Sequence, residues 1–167
     1  DALIERYLEG ESISSEELSA ALRKGINERI FAPVLFGSAT GNIGIDNLMD
    51  FLATVAPTPP ERGAKNGTDL SGPEALTRPP AADAPFSAFV FKTVAAPYSG
   101  RLSIFRVVSG TLGSDGNFYN ATKESKERFN QLLTIAGKEQ KPTDGAGPGS
   151  IVAVAKLKDT TTGDTLC

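Results

Sequence analysis

The chain contains no histidine and a single cysteine, Cys167. Those two scarcities exclude the usual zinc-ligand sets and every His-based nucleophile triad from within these residues. One cysteine makes no internal disulfide, which fits a reducing cytoplasm. No stretch approaches the roughly 18 apolar residues of a membrane-spanning helix, so a soluble protein is expected. The first residues lack a basic region followed by an apolar core and a small-residue cleavage site, and give no sign of secretion. A phosphate loop of the Gly-x-x-x-x-Gly-Lys-Ser/Thr type is missing. So are an Asp-x-x-Gly segment suited to sensing magnesium and γ-phosphate, and an Asn-Lys-x-Asp segment suited to guanine. No acidic cluster around Asp164 suggests a metal site. Unaided nucleotide hydrolysis by this chain is therefore excluded, and catalytic residues are expected to be absent.

What is present divides in two. Residues 1–84 hold 7 Lys/Arg against 13 Asp/Glu, and residues 85–167 hold 10 against 7, so the formal net charge of −3 conceals an acidic front and a basic back. A basic module suggests a polyanionic partner. An ordinary solvated surface has the same composition, and +3 is far from the basicity of dedicated nucleic-acid binders. The organising stretch is Phe86–Leu112. Two alternating apolar runs, Phe86–Val94 and Leu102–Val108, flank a turn with Pro97, Ser99 and Gly100, which reads as a pair of half-buried strands.

Upstream, Leu3, Ile4, Tyr7 and Leu8 share a helical face that Gly10 should end. Ser14 and Glu17 have the spacing of a capping box, with Ile13 and Leu18 as its staple, for a helix ending near Gly25. Neither helix carries a chemical motif, and both read as packing elements. Ile30–Phe36, apolar but for Pro33, predicts a covered strand of a parallel sheet. It leads into a small polar loop, Gly37–Asn42, and then a helix over Ile45–Val55 closed by Pro57. Strand, loop and helix make half of an α/β unit, whose strand ends are where ligands sit; Gly, Ser and Asn also build ordinary turns. Residues 58–84 are proline-rich and read as a linker, flexible around Gly63–Gly72, that marks a domain boundary. Strands are then expected at 86–94, 102–112, 117–121, 128–135 and 151–157. Between them lie a charged connection Lys123–Arg128, a long loop Gly137–Ser150 and a turn Lys158–Asp164. Short strands at this spacing suggest a small closed barrel.

The barrel loops supply the candidate binding residues. Lys123, Lys126, Arg128 and Lys158 could reach phosphates, and the hydroxyls of Thr160–Thr162 could bond phosphate or ribose oxygens. Interleaved Glu124, Glu127 and Asp159 give the same stretch the look of a plain solvated surface.

Two segments resemble the bacterial translation elongation factor G family. The first combines Tyr7-Leu8-Glu9-Gly10-Glu11, Leu22-Arg23-Lys24-Gly25 and Pro33-Val34-Leu35-Phe36-Gly37-Ser38-Ala39. The second runs from Pro85-Phe86 through Gly100-Arg101-Leu102, Phe105-Arg106-Val107 and Ser109-Gly110-Thr111-Leu112. It continues through Asn120-Ala121-Thr122-Lys123 and Lys126-Glu127-Arg128 to the most specific stretch, Leu157–Cys167. The resemblance implies an α/β piece, the end of a P-loop GTPase domain, over 1–57, joined by the linker at 58–84 to an all-β translation-factor-type antiparallel barrel at 85–167. It implies that Ser38 and Ala39 touch guanine in the intact protein, Ala39 through its backbone N–H. The intact protein would use GTP and Mg, with GDP as product, while this piece, lacking the phosphate loop and switches, holds no cofactor alone. The implied partners are the small-subunit ribosomal RNA and the rest of the GTPase domain, in a cytoplasmic monomer that keeps clear of membranes. The implied role is in a ribosomal translocase. A recycling or ribosome-protection GTPase with the same two domains is the alternative, as is a free-standing β-barrel interaction module. Residues 62–84 depart from the family in being longer and richer in proline, which points to a divergent subgroup.

Overall fold

The computed structural model describes residues 2–96 and 100–167, so Pro97 and Ser99 of the expected turn lie outside the described residues. The chain forms two compact units, Asp1–Thr58 and Pro59–Cys167.

The first unit holds three helices, α1 (Ala2–Leu8), α2 (Ser15–Asn27) and α3 (Ile45–Val55). The start of α2 is a complete capping box. The Glu17 N–H donates to the Ser14 hydroxyl at 3.2 Å, and the Ser14 N–H donates to the Glu17 carboxylate at 3.0 Å. Arg6 of α1 donates to Glu17 at 2.6 Å and to Glu11 at 2.9 Å, tying the two helices together. The Arg6 guanidinium, helped by the Ser14 N–H, holds the half-buried Glu17 carboxyl down at about 2. α2 ends close to Gly25, as expected, though not at it. It runs on to Asn27, and Arg29 takes the left-handed backbone at φ 59°. Gly25 serves another purpose: a Cβ there would lie 2.2 Å from the Phe31 ring, which folds back onto the bare backbone.

Ile30–Phe36 is not a strand. Residues 31–37 have no ladder partner, and Val34 and Phe36 are 78% and 92% exposed. A strand exists only where a neighbour completes its hydrogen bonds, and this unit contains none among the described residues. The apolar run is thus uncovered.

The second unit is antiparallel β throughout. Its main sheet combines β3 (Ser87–Ala96), β4 (Gly100–Ser109), β6 (Gly116–Asn120), β7 (Ser125–Phe129), β8 (Leu133–Ala136), β9 (Glu139–Pro142), β11 (Ile151–Ala155) and β12 (Thr165–Leu166). Their order is β7-β6-β12-β3-β4-β11-β8-β9. Two small pairs accompany it, β1 (Lys65–Thr68) with β2 (Ala75–Arg78), and β5 (Leu112–Gly113) with β10 (Gly145–Ala146).

Most of the main sheet wraps around one large core, beside a smaller cluster of Leu102, Leu133 and Ala153. Phe105 of β4 and Phe118 of β6 meet edge to face at 6.3 Å although β12 and β3 lie between their strands. Phe118 stacks on Phe129 of the edge strand β7 at 5.3 Å. Side chains from β3, β4, β6, β7, β11 and β12 join in a single buried cluster with Leu132 and Leu157. Only a strongly curled sheet can bring strands as far apart as β7 and β11 to one cluster, as a barrel does. Where the chain re-enters the sheet, Gly110 has φ 69°, and a Cβ would meet the Ala84 carbonyl oxygen and Phe86 Cα at 2.6 Å. Only glycine permits that approach.

Several expected boundaries shift. The run at 102–112 splits into β4 and β5, and 128–135 splits into β7 and β8. The charged connection Lys123–Arg128 is mostly strand, because Glu127 and Phe129 face inward while Lys126 and Arg128 face out. The loop at 137–150 contains β9 and β10, and the linker contains the β1–β2 hairpin, where Lys65 faces Arg78 and Thr77 bonds Asn66 at 3.3 Å. Gly and Pro at hairpin ends conceal the short strands between them.

Candidate functional site

The turns that carry the candidate cations Lys123 and Lys158 are built on two buried carboxylates, Asp164 and Glu127. The alternation of β7 turns Lys126 and Arg128 outward and Glu127 inward, leaving it 4% exposed. Its carboxylate accepts from the backbone N–H groups of Lys158 at 3.0 Å, Asp159 at 2.8 Å and Thr160 at 3.0 Å, and from the Thr160 hydroxyl at 3.0 Å. Burial alone would raise the Glu127 pKa, but these donors together outweigh it and hold the carboxyl below its ordinary range. From the other side, the Arg101 guanidinium donates to the carbonyl oxygens of Leu157, at 2.7 Å, and Lys158. The loop that carries Lys158 is therefore gripped through both its N–H and its C=O groups.

Asp164 organises the neighbouring turn. It accepts from the Asn120 amide at 2.9 Å and from the Thr161 N–H at 2.8 Å, with the Lys123 ammonium at 4.0 Å. Burial again opposes ionisation, and these partners again win, so the Asp164 carboxyl lies below its usual value. The Asn120 oxygen accepts from the N–H groups of Thr122 at 3.1 Å and Lys123 at 3.0 Å, shaping the β6–β7 turn. Its amide nitrogen also donates to the Thr160 hydroxyl at 3.0 Å, which joins the two carboxylates into one network.

Lys126, Arg128 and Lys158 are exposed, and among the described residues none has an ion-pair partner. Lys123, by contrast, is partly neutralised by Asp164. Thr160 is completely buried with its hydroxyl spent inside the network, so it cannot be the phosphate or ribose contact its sequence suggested. Thr162 is exposed, and its hydroxyl donates to that of Thr93 at 3.3 Å. Glu127, far from belonging to a plain solvated surface, is the hub of the site. The signal that could have found it was the spacing Glu127–Phe129, two residues on one face of a strand.

Ser38 and Ala39 lie in the first unit and make a separate loop. Ser38 and Ile43 exchange backbone hydrogen bonds at 2.9 and 3.0 Å, and the Ser38 hydroxyl accepts from the Gly41 N–H at 3.1 Å. A Cβ on Gly37 would meet the Ile43 carbonyl at 2.9 Å. The loop is narrow, with Ala39 exposed at its bend.

Residues 85–167 match the family model described as elongation factor G domain 2. The chain is also similar to a protein of Thermus thermophilus known from its crystal structure, with a TM-score of 0.72 and 25% identity over 99% of this chain. This chain spans 22% of that protein's length.

Proposed function

We propose, because residues 85–167 belong to the elongation factor G domain 2 family, that this chain is the connecting part of a translational GTPase of the ribosome. In this reading residues 1–57 are the closing portion of the GTPase domain and the barrel docks on small-subunit ribosomal RNA. Docking couples GTP hydrolysis to movement of tRNA and mRNA in the cytoplasm. The observation that carries the reading is the outward face of β7. Lys126 and Arg128 point away from the core without ion-pair partners among the described residues, next to a Lys158 loop that is held in place. Cations anchored on a rigid scaffold lose little conformational freedom on meeting phosphates.

In this reading the narrow Ser38–Ile43 loop would meet one edge of a guanine base. Ser38 and Ala39 would hold the base there, while the phosphates and Mg would be held by parts of the intact protein outside these residues. Bound GTP would supply the phosphoanhydride bond whose cleavage drives the cycle.

Charge reversal at Lys123, Lys126 and Arg128 tests the docking face. Binding to purified small ribosomal subunits, measured against salt concentration, should weaken and lose slope by about one per phosphate contact removed. Unchanged affinity with an unchanged slope would discard the face. The smallest effect is expected at Lys123, whose charge is already shared with Asp164.

A further inference from the structure

We propose that Glu127 is a positioning residue for docking, setting where the loop that it holds presents the Lys158 ammonium. The inference rests on the reading of the docking face as an RNA-binding surface, and adds which buried group positions Lys158.

One carboxylate satisfies three consecutive backbone N–H groups, at Lys158, Asp159 and Thr160, besides a hydroxyl. Three successive amides converging on one anion leave the local main chain a single orientation. Arg101 restrains the same segment through the Leu157 and Lys158 carbonyls, and the preceding Lys156 sits at φ 63°, so the loop enters through a fixed bend. The Lys158 backbone is thus held on both its donor and its acceptor, while its side chain remains exposed.

A loop that needed only to be stable could rest on apolar packing, which carries no desolvation cost. The carboxylate adds two things that apolar packing cannot. It fixes direction, since three N–H groups must point at it, and it adds one negative charge next to the Lys158 backbone.

The test is a double-mutant cycle on the 167-residue chain binding purified small ribosomal subunits across a salt series. Lys158→Ala should weaken binding several-fold and lower the salt slope by about one. Glu127→Gln should weaken it comparably, because the amide cannot accept three N–H groups without presenting its own donors to them. The double variant should bind no worse than Lys158→Ala alone, since Glu127 acts through that side chain. Glu127→Asp, one methylene shorter, keeps the charge and provides the same comparison if the glutamine variant does not fold. Losses that multiply in the double variant would overturn the proposal, because damage to the fold at large subtracts in either background. So would a Lys158→Ala chain that binds like the unaltered one, even where reversal at Lys126 and Arg128 still weakens docking. Failure of the unaltered chain to bind at low salt would instead remove the docking reading itself, and this inference with it.

Discussion

Glu127 stands between two cations in the sequence, yet its side chain lies on the opposite face of the strand from both. Its depressed pKa, like that of Asp164, makes the barrel's stability depend on pH in a definite direction. A carboxyl with a folded pKa below its unfolded value contributes stability above the unfolded value and loses it as pH falls through the folded one. The barrel should therefore keep its urea midpoint from neutrality down to the ordinary carboxylate range near pH 4 and weaken progressively below it. Glu127→Gln should cost on the order of 1–3 kcal/mol at neutral pH, through N–H groups left without a good acceptor. It should also flatten the acid limb of the midpoint-against-pH curve; an unchanged limb would mean the fold does not hold the Glu127 carboxyl below its unfolded value. Gly110 provides a test without charge. Gly110→Ala combines a strained φ with backbone atoms at 2.6 Å, whereas Gly137→Ala has φ 60° and open space around it. The first should lower stability by well over the roughly 1–2 kcal/mol of left-handed strain expected for the second.

At the scale of elements, the sequence was most legible where one periodic signal coincided with a start or stop signal. The Ser14–Glu17 capping box and the helix expected over Ile45–Val55 correspond to α2 and α3. Phe86–Val94 and Ile151–Ala155 correspond to β3 and β11 within a few residues. What escaped was short and pairing-dependent. Residues 65–68 and 139–142 have no apolar alternation and are strands because a partner just across the turn completes their bonds. Ile30–Phe36 is the converse: strong strand composition without a partner, and so no strand. The candidate cations could be read from composition. The network beneath them could not, because Asn120, Glu127, Thr160 and Asp164 are separated by up to 44 residues and meet only when the sheet curls. Ser14→Ala tests the cap at its own scale. It removes the acceptor for the Glu17 N–H and should reduce helical circular dichroism of the first unit, with a loss of about 0.5–2 kcal/mol.

For the whole molecule, the two units differ in how much apolar surface they bury. In the barrel unit Val90, Phe105, Leu132, Val154 and Leu166 are completely buried. In the helical unit, among the described residues, only Gly25 and Val55 are buried, while Tyr7, Ile30, Val34, Phe36 and Met49 are largely exposed. Burial of about 25 cal/mol per Å² is the main term opposing chain entropy, so the helical unit has little to set against it. Amides of α2 and α3 should accordingly exchange with deuterium much faster than those of β3, β4 and β11. Under the proposed function, the uncovered run Ile30–Phe36 would become a strand when the sheet of a complete GTPase domain covers it. Exchange measured on a longer protein that includes that domain should then show residues 31–36 strongly protected, with little change in β4 and β11. Equal, fast exchange of 31–36 in both proteins would mean that this run is surface, and that the first unit is no part of such a sheet.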